Sequence, residues 1–136
     1  MKNSCLSTAE IESRLKTSGV QPTAQRIAIA RFVLCEANHP TAEQVKAWAD
    51  DNFPKMSMAT VYNTLNTLVQ AGLLKKISFP HMKEAVYDDN VTEHFHFLDE
   101  RTGEILDVNP DKVKVSANLG EFQISAIEIF LRGRRK

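Results

Sequence analysis

Residues 57–68 read Ser57-Met58-Ala59-Thr60-Val61-Tyr62-Asn63-Thr64-Leu65-Asn66-Thr67-Leu68, and the run closes at Ala71-Gly72. Val61, Leu65, Leu68 and Gly72 recur at helical spacing, which predicts a helix with those positions turned inward. Ala59, Thr60, Tyr62, Asn63, Asn66 and Thr67 are left on the outer face. A solvated helix face ordinarily carries Glu and Lys, yet this one has no charge. Its hydroxyls, amides and phenol can reach base edges, thymine methyls and phosphates. An ordinary polar helix is the competing reading, and it leaves the missing charges unexplained.

Toward the N-terminus the pattern stays helical. Ser7-Thr8-Ala9-Glu10 is a capping box that starts a helix with Ile11 and Leu15 inward, ending at Gly19. Thr23 caps a second helix through Ile27, Ala30, Val33 and Leu34, broken by Asn38-His39-Pro40. Thr41-Ala42-Glu43-Gln44 is a further capping box, opening a third helix with Val45, Trp48 and Ala49 on one face. Followed by the uncharged helix, this third helix makes a helix-turn-helix. Strands then alternate over 73–79 and 84–88 around Pro80-His81-Met82-Lys83, with Lys75, Lys76 and Lys83 beside the turn. Helices followed by a basic hairpin predict a winged helix, with the wing on the nucleic-acid backbone. Exposed hairpins also carry lysine to protect their edges, so the lysines count mainly through their place after the uncharged helix.

The run Val91 to Asp107, VTEHFHFLDERTGEILD, predicts a second hairpin. Side chains two apart leave a strand on the same face, so His94 and His96 project together while Phe95 and Phe97 point into an apolar layer. A symmetric turn over Glu100-Arg101-Thr102-Gly103 sets Asp107 opposite His96, with Cβ atoms roughly 5 Å apart. One divalent cation could touch all three side chains. Two imidazoles and a carboxylate, without thiolate, suit Fe(II), Zn(II), Mn(II) or Co(II). The competing reading is a pair of surface histidines on an edge strand.

Length and composition bound these readings. A chain of 136 residues, 43% hydrophobic and 25% charged, suits one ordinary domain or two small ones sharing a dimer core. No apolar run approaches the roughly 20 residues a membrane helix needs, and MKNSCLSTAE lacks a signal-peptide core, so a cytoplasmic location is expected. Cys5 and Cys35 form no C-x-x-C, and free thiols are expected, with Cys35 in the core. The net charge is zero but unevenly spread: residues 84–108 hold eight carboxylates against the single base Arg101. Cation binding would partly neutralise that region, leaving basic segments elsewhere to meet phosphates.

The segment Phe122 to Leu131 is β-branched and aromatic, with a change of phase after Ala126 that predicts a bulged or doubly buried strand. Residues 109–121 predict only a short helix or loop. A three-stranded sheet this small cannot make a core alone, so pairing with a second subunit is expected. The tail Gly133-Arg134-Arg135-Lys136 reads as a solvated end.

Several of these motifs, in order along nearly the whole chain, resemble the ferric uptake regulator family of bacterial metalloregulators. They are Gly19-Val20-Gln21-Pro22-Thr23-Ala24-Gln25-Arg26, His39-Pro40-Thr41-Ala42, Ala59-Thr60-Val61-Tyr62-Asn63-Thr64-Leu65, Gly72-Leu73 and His94-Phe95-His96. The resemblance implies an α+β chain: a winged-helix DNA-binding domain over 1–86, and an α/β dimerisation domain over 87–136 that binds a regulatory metal. It further implies a homodimer on a double-stranded DNA operator, probed by Ala59, Thr60, Tyr62, Asn63, Lys75 and Lys76. The implied metal ligands are His39, Asp88, His94, His96 and Asp107, bridging both domains and holding Fe(II) or Mn(II), with Zn(II) able to substitute.

Asp at position 107 resembles the peroxide-sensing branch, in which Fe(II) chemistry oxidises a ligand histidine, here His39 or His94. The alternative is an iron- or haem-responsive regulator of the rhizobial type. Haem is disfavoured because Phe95 interrupts the histidine run and Leu6 follows Cys5 where a haem motif has proline. The family's cysteine-held structural zinc cannot form, since Asp99 and Thr102 stand where its first cysteine pair would be. Two further readings are a non-haem iron enzyme, which would need many more strands, and a constitutive DNA-binding dimer with a merely structural metal.

Overall fold

The computed structural model describes residues 5–53 and 55–136, and these divide into two compact units, Met1–Val91 and Thr92–Lys136. The first unit is helical with a small hairpin. Its elements are α1 (Thr8–Thr17), α2 (Ala24–Arg31), α3 (Ala42–Asn52), α4 (Met58–Gln70), β1 (Lys75–Ile77) and β2 (Val86–Asp88). The caps are those the sequence specifies. Glu10 N–H donates to Ser7 Oγ while Ser7 N–H donates to Glu10 Oε1, and Thr41 and Gln44 make the same reciprocal pair on α3. Thr23 and Ser57 accept from the third residue of α2 and α4. Each cap satisfies donors that the first helical turn leaves without an intrahelical partner.

Ile11, Leu15, Ile29, Val33, Val45, Ala49, Val61, Leu65 and Leu68 are wholly buried and form the core of this unit. The outer residues of α4 follow the sequence reading: Ala59, Tyr62, Asn63 and Asn66 are exposed, Thr60 and Thr67 half-buried. Gly72, at φ 76, turns the chain from α4 into the hairpin in a conformation that side chains disfavour. β1 and β2 pair antiparallel with Lys75 opposite Asp88. These strands are shorter than the alternation suggested, because only three residues on each side stay in register before the turn. The pairing with β1 holds β2, and Asp88 with it, in the first unit.

Two features depart from the sequence reading here. α2 widens into a π-helical turn over Phe32–Glu36 before the chain breaks at Asn38-His39-Pro40. Cys5 and Cys35, expected as free thiols, are joined in a disulfide with Cα atoms 5.0 Å apart. A sequence separation of 30 residues hid the pair. The packing of α1 on α2, held also by Arg31 donating to Thr8 Oγ1, brings the segment before α1 against the π-helical turn.

The second unit is a three-stranded sheet in the order β4-β3-β5, from β3 (Phe95–Asp99), β4 (Ile105–Val108) and β5 (Phe130–Gly133). β3 and β4 are antiparallel around a turn in which Gly103 takes φ 77, and His96 stands opposite Asp107 as expected. β5 runs parallel to β3. The strand expected over 122–131 is corrected to Phe130–Gly133. Residues 122–129 form no strand, and Phe122, Ile124 and Ile127 are exposed, so apolar β-prone sequence alone did not secure an edge to pair with.

Candidate metal centre and nucleic-acid face

In the first unit, Pro40 and Thr41 are tied to β2: Tyr87 N–H donates to Pro40 O at 2.9 Å, and Thr41 bridges Val86. This brings His39, just before them, alongside Asp88, just after. His39 Nε2 lies 3.3 Å from Asp88 Oδ2, and the two side chains are 5% and 1% exposed. His39 takes φ 48, a left-handed conformation uncommon outside glycine. Its Nδ1 donates to Asn38 Oδ1 at 2.7 Å, so a neutral ring presents the Nε2 lone pair to the carboxylate.

In the second unit, Asp107 Oδ1 lies 3.4 Å from His94 Nε2 and 3.8 Å from His96 Nε2. The two imidazoles meet edge to face with centroids 4.5 Å apart. His94 Nδ1 donates to Thr92 O at 2.6 Å, again turning Nε2 toward the carboxylate. Ligands about 2.0–2.2 Å from a common ion sit about 3.0–3.5 Å from each other, and the closer pairs match that spacing. Holding the far ring nitrogen by an oxygen acceptor is how metal-ligating histidines are oriented. Each unit therefore carries an imidazole-carboxylate pair, buried in the first and with an exposed carboxylate in the second, whose chemistry fits a divalent cation of intermediate hardness.

On α4 of the first unit, Tyr62 O–H donates to Glu43 Oε1, 3.2 Å away in the first turn of α3. Partial desolvation, and then the Glu43 carboxylate, hold the Tyr62 phenol above its ordinary 10.0. Burial does the same for Tyr87 behind it, so both remain hydrogen-bond donors through the neutral range. Thr64 and Thr67 spend their hydroxyl protons on the Thr60 and Asn63 carbonyls of their own helix. Tyr62, Asn63 and Asn66 are the exposed polar residues of this face. Lys75 and Lys76 stand exposed on β1.

The model of the ferric uptake regulator family matches residues 17–129. The chain belongs to the ferric uptake regulator family. It is similar to the peroxide-responsive repressor PerR of Staphylococcus epidermidis, 33% identical over 93 residues, which are 68% of this chain and 61% of that protein. The aligned part is thus less than two thirds of that relative's length. Among solved structures it resembles the PerR of Streptococcus pyogenes, described for peroxide sensing and gene regulation, with TM-score 0.56, 25% identity, and coverage of 99% and 95% of the two chains. The ferric uptake regulator of Helicobacter pylori, described with three functional metal-binding sites, shares the fold at TM-score 0.73 and 15% identity, covering 99% and 95%.

Within this family member, sequence reasoning missed Asn38, Thr92 and Glu43. Asn38 and Thr92 carried a weak signal, each lying within two residues of a candidate histidine. Glu43 was read only as part of a capping sequence, and nothing local connects it to Tyr62, 19 residues away.

Proposed function

We propose that this chain is a metal-dependent, DNA-binding transcriptional repressor whose regulatory ion is held by His39, Asp88, His94, His96 and Asp107. The observation that carries the reading is the donor chemistry: three imidazoles with Nε2 directed at two carboxylates, Asp88 buried and Asp107 exposed, and two of the rings with Nδ1 engaged on an oxygen. Fe(II) and Mn(II) suit this nitrogen and oxygen set, and Zn(II) can substitute. Asn38 and Thr92 fix the rings of His39 and His94, and Asp88 and Asp107 supply the negative charge that the cation balances.

The DNA operator is read by α4 through Ala59, Thr60, Tyr62 and Asn63, with Lys75 and Lys76 on phosphates. The subunit acts as a homodimer in the cytoplasm. The exposed Val115, Leu119, Phe122, Ile124 and Ile127, in the non-strand segment between β4 and β5 of the second unit, support pairing, since so much exposed apolar surface favours a partner. No helix among the described residues is long and apolar enough to cross a membrane.

The signal proposed is hydrogen peroxide. Bound Fe(II) would supply the one-electron reduction of peroxide that leads to oxygen addition on a ligand imidazole. His39 and His94 are the proposed acceptors, each held still by its Nδ1 hydrogen bond. The test is peptide mass spectrometry after peroxide treatment of iron-loaded and manganese-loaded protein. One added oxygen on the His39 or His94 peptide with iron alone is expected. Equal masses in both samples would remove the peroxide reading.

A further inference from the structure

The Cys5–Cys35 disulfide lies in the first unit and includes none of the proposed metal ligands. We infer that this pair is a reversible thiol-disulfide switch, closed by hydroperoxides and opened by small thiols, whose state reaches the backbone at His39 through the π-helical turn.

Accessibility comes first. Cys5 is exposed, whereas Cys35 is half-buried and packed against the core. Exposed disulfides are the ones that thiols can open, and sheltered ones serve as permanent staples. Cys5 stands two residues before Ser7, the N-cap of α1, at the exposed end of the pair. Arg31, four residues before Cys35, donates to Thr8 Oγ1, three residues after Cys5, and so ties together the two segments that carry the pair. In a compartment kept reducing by glutathione-type thiols, such a bond is transient and reports oxidant.

The connection to His39 is short. Cys35 is the fourth residue of the turn Phe32–Glu36, and Ala37 N–H closes that turn onto Phe32 O at 2.9 Å. Two residues on, His39 takes φ 48, and Pro40 and Thr41 are then fixed on β2. The segment 35–41 is thus held at one end by the disulfide and at the other by β2. A π-helical turn carries one residue more than the α-helical turn it replaces. Releasing Cys35 allows it to relax toward α-helical bonding, which shifts the residues leading to His39.

The chemistry balances. The Cys5 thiolate attacks one oxygen of the hydroperoxide, the O–O bond breaks, and the electron pair leaves on the other oxygen, which takes a proton as water or an alcohol. The Cys35 thiolate then attacks the Cys5 sulfenic sulfur, forming S–S and expelling hydroxide, which is protonated to water. Reopening takes two electrons and two protons from a dithiol.

The test uses the full chain stripped of metal with a chelator, so no iron chemistry contributes and the outcome is independent of the metal-site proposal. Protein treated with hydrogen peroxide or with dithiothreitol is alkylated and its peptides are weighed. Backbone hydrogen exchange is followed over residues 36–39 in both states. The expected result is one cross-linked Cys5–Cys35 species after peroxide and two alkylated cysteines after dithiothreitol. Exchange at residues 36–39 should be several-fold faster in the reduced form, with no response to dithiothreitol in Cys5→Ser. Both cysteines remaining alkylatable after peroxide, a bond that dithiothreitol cannot open in folded protein, or equal exchange in the two states would each overturn the inference.

Discussion

His39 Nε2 and Asp88 Oδ2 lie 3.3 Å apart with almost no solvent on either side chain. Because Nδ1 of His39 donates to Asn38, a neutral ring sets a lone pair against a carboxylate oxygen, and two acceptors at that distance need a positive charge between them. A proton or a metal ion meets that need. Asn38→Ala removes the group that orients the ring, and losing such a supporting partner lowers metal affinity about 10- to 100-fold. Manganese titration followed by electron paramagnetic resonance measures this, and wild-type affinity in Asn38→Ala would deny the ring's orientation any role.

Tyr62 and Lys76 should fail differently on DNA. Tyr62→Ala removes an outward donor from α4 and should cost about 1–3 kcal/mol of binding to the specific sequence, with little effect on random DNA. Lys76→Ala should weaken both alike and reduce the slope of log affinity against log salt by about 1. Fluorescence anisotropy over a salt series separates the two patterns. Equal losses on specific and random DNA for Tyr62→Ala would move the reading surface elsewhere.

The contact from Tyr62 to Glu43 sets an opposing sign for a third variant. Glu43→Gln keeps a hydrogen-bond acceptor for the phenol but removes a negative charge from beside the proposed phosphate path. Affinity for DNA of any sequence should rise, most at low salt, where charges separated by several ångströms are least screened. An unchanged affinity at low ionic strength would put Glu43 away from the DNA.

Much of the first unit is legible because its signals are local. Ser7 with Glu10 and Thr41 with Gln44 declare helix starts within four residues, and Val61, Leu65 and Leu68 declare an inner face within two turns. The pairing of His96 with Asp107 is equally local, fixed by a short turn. The disulfide was not legible, since Cys5 and Cys35 meet only through the packing of α1 on α2. The π-helical turn at Phe32–Glu36 escaped for a similar reason: its composition suits an α-helix, and tertiary anchoring at both ends decides otherwise. Residues 122–129 misled in the other direction, because β propensity reflects the surface a strand packs on, and that stretch forms no strand even though Ile129 O accepts from His96 N–H at its end.

The α1 cap should be pH-sensitive. The backbone N–H of Ser7, then its side chain, hold the exposed Glu10 carboxyl below its ordinary 4.5. A depressed folded value means that the contribution is present above about 4.5 and is lost as pH falls through the folded value. Corrected for the intrinsic pH dependence of exchange, amide protection at the start of α1 should fall as pH drops through that acidic window in wild type and stay flat in Glu10→Gln. A pH-independent wild type would contradict the cap's charge.

The central claim is that His39, Asp88, His94, His96 and Asp107 bind a single ion, and counting manganese bound to purified wild type, His39→Ala and His96→Ala under identical conditions tests it most directly. The account predicts one high-affinity manganese per wild-type subunit, and loss of that ion by at least about 100-fold in affinity in both variants, since a direct ligand matters no less than its supporting partner. Undiminished high-affinity binding in His39→Ala, or two independent ions each lost in only one variant, would contradict it.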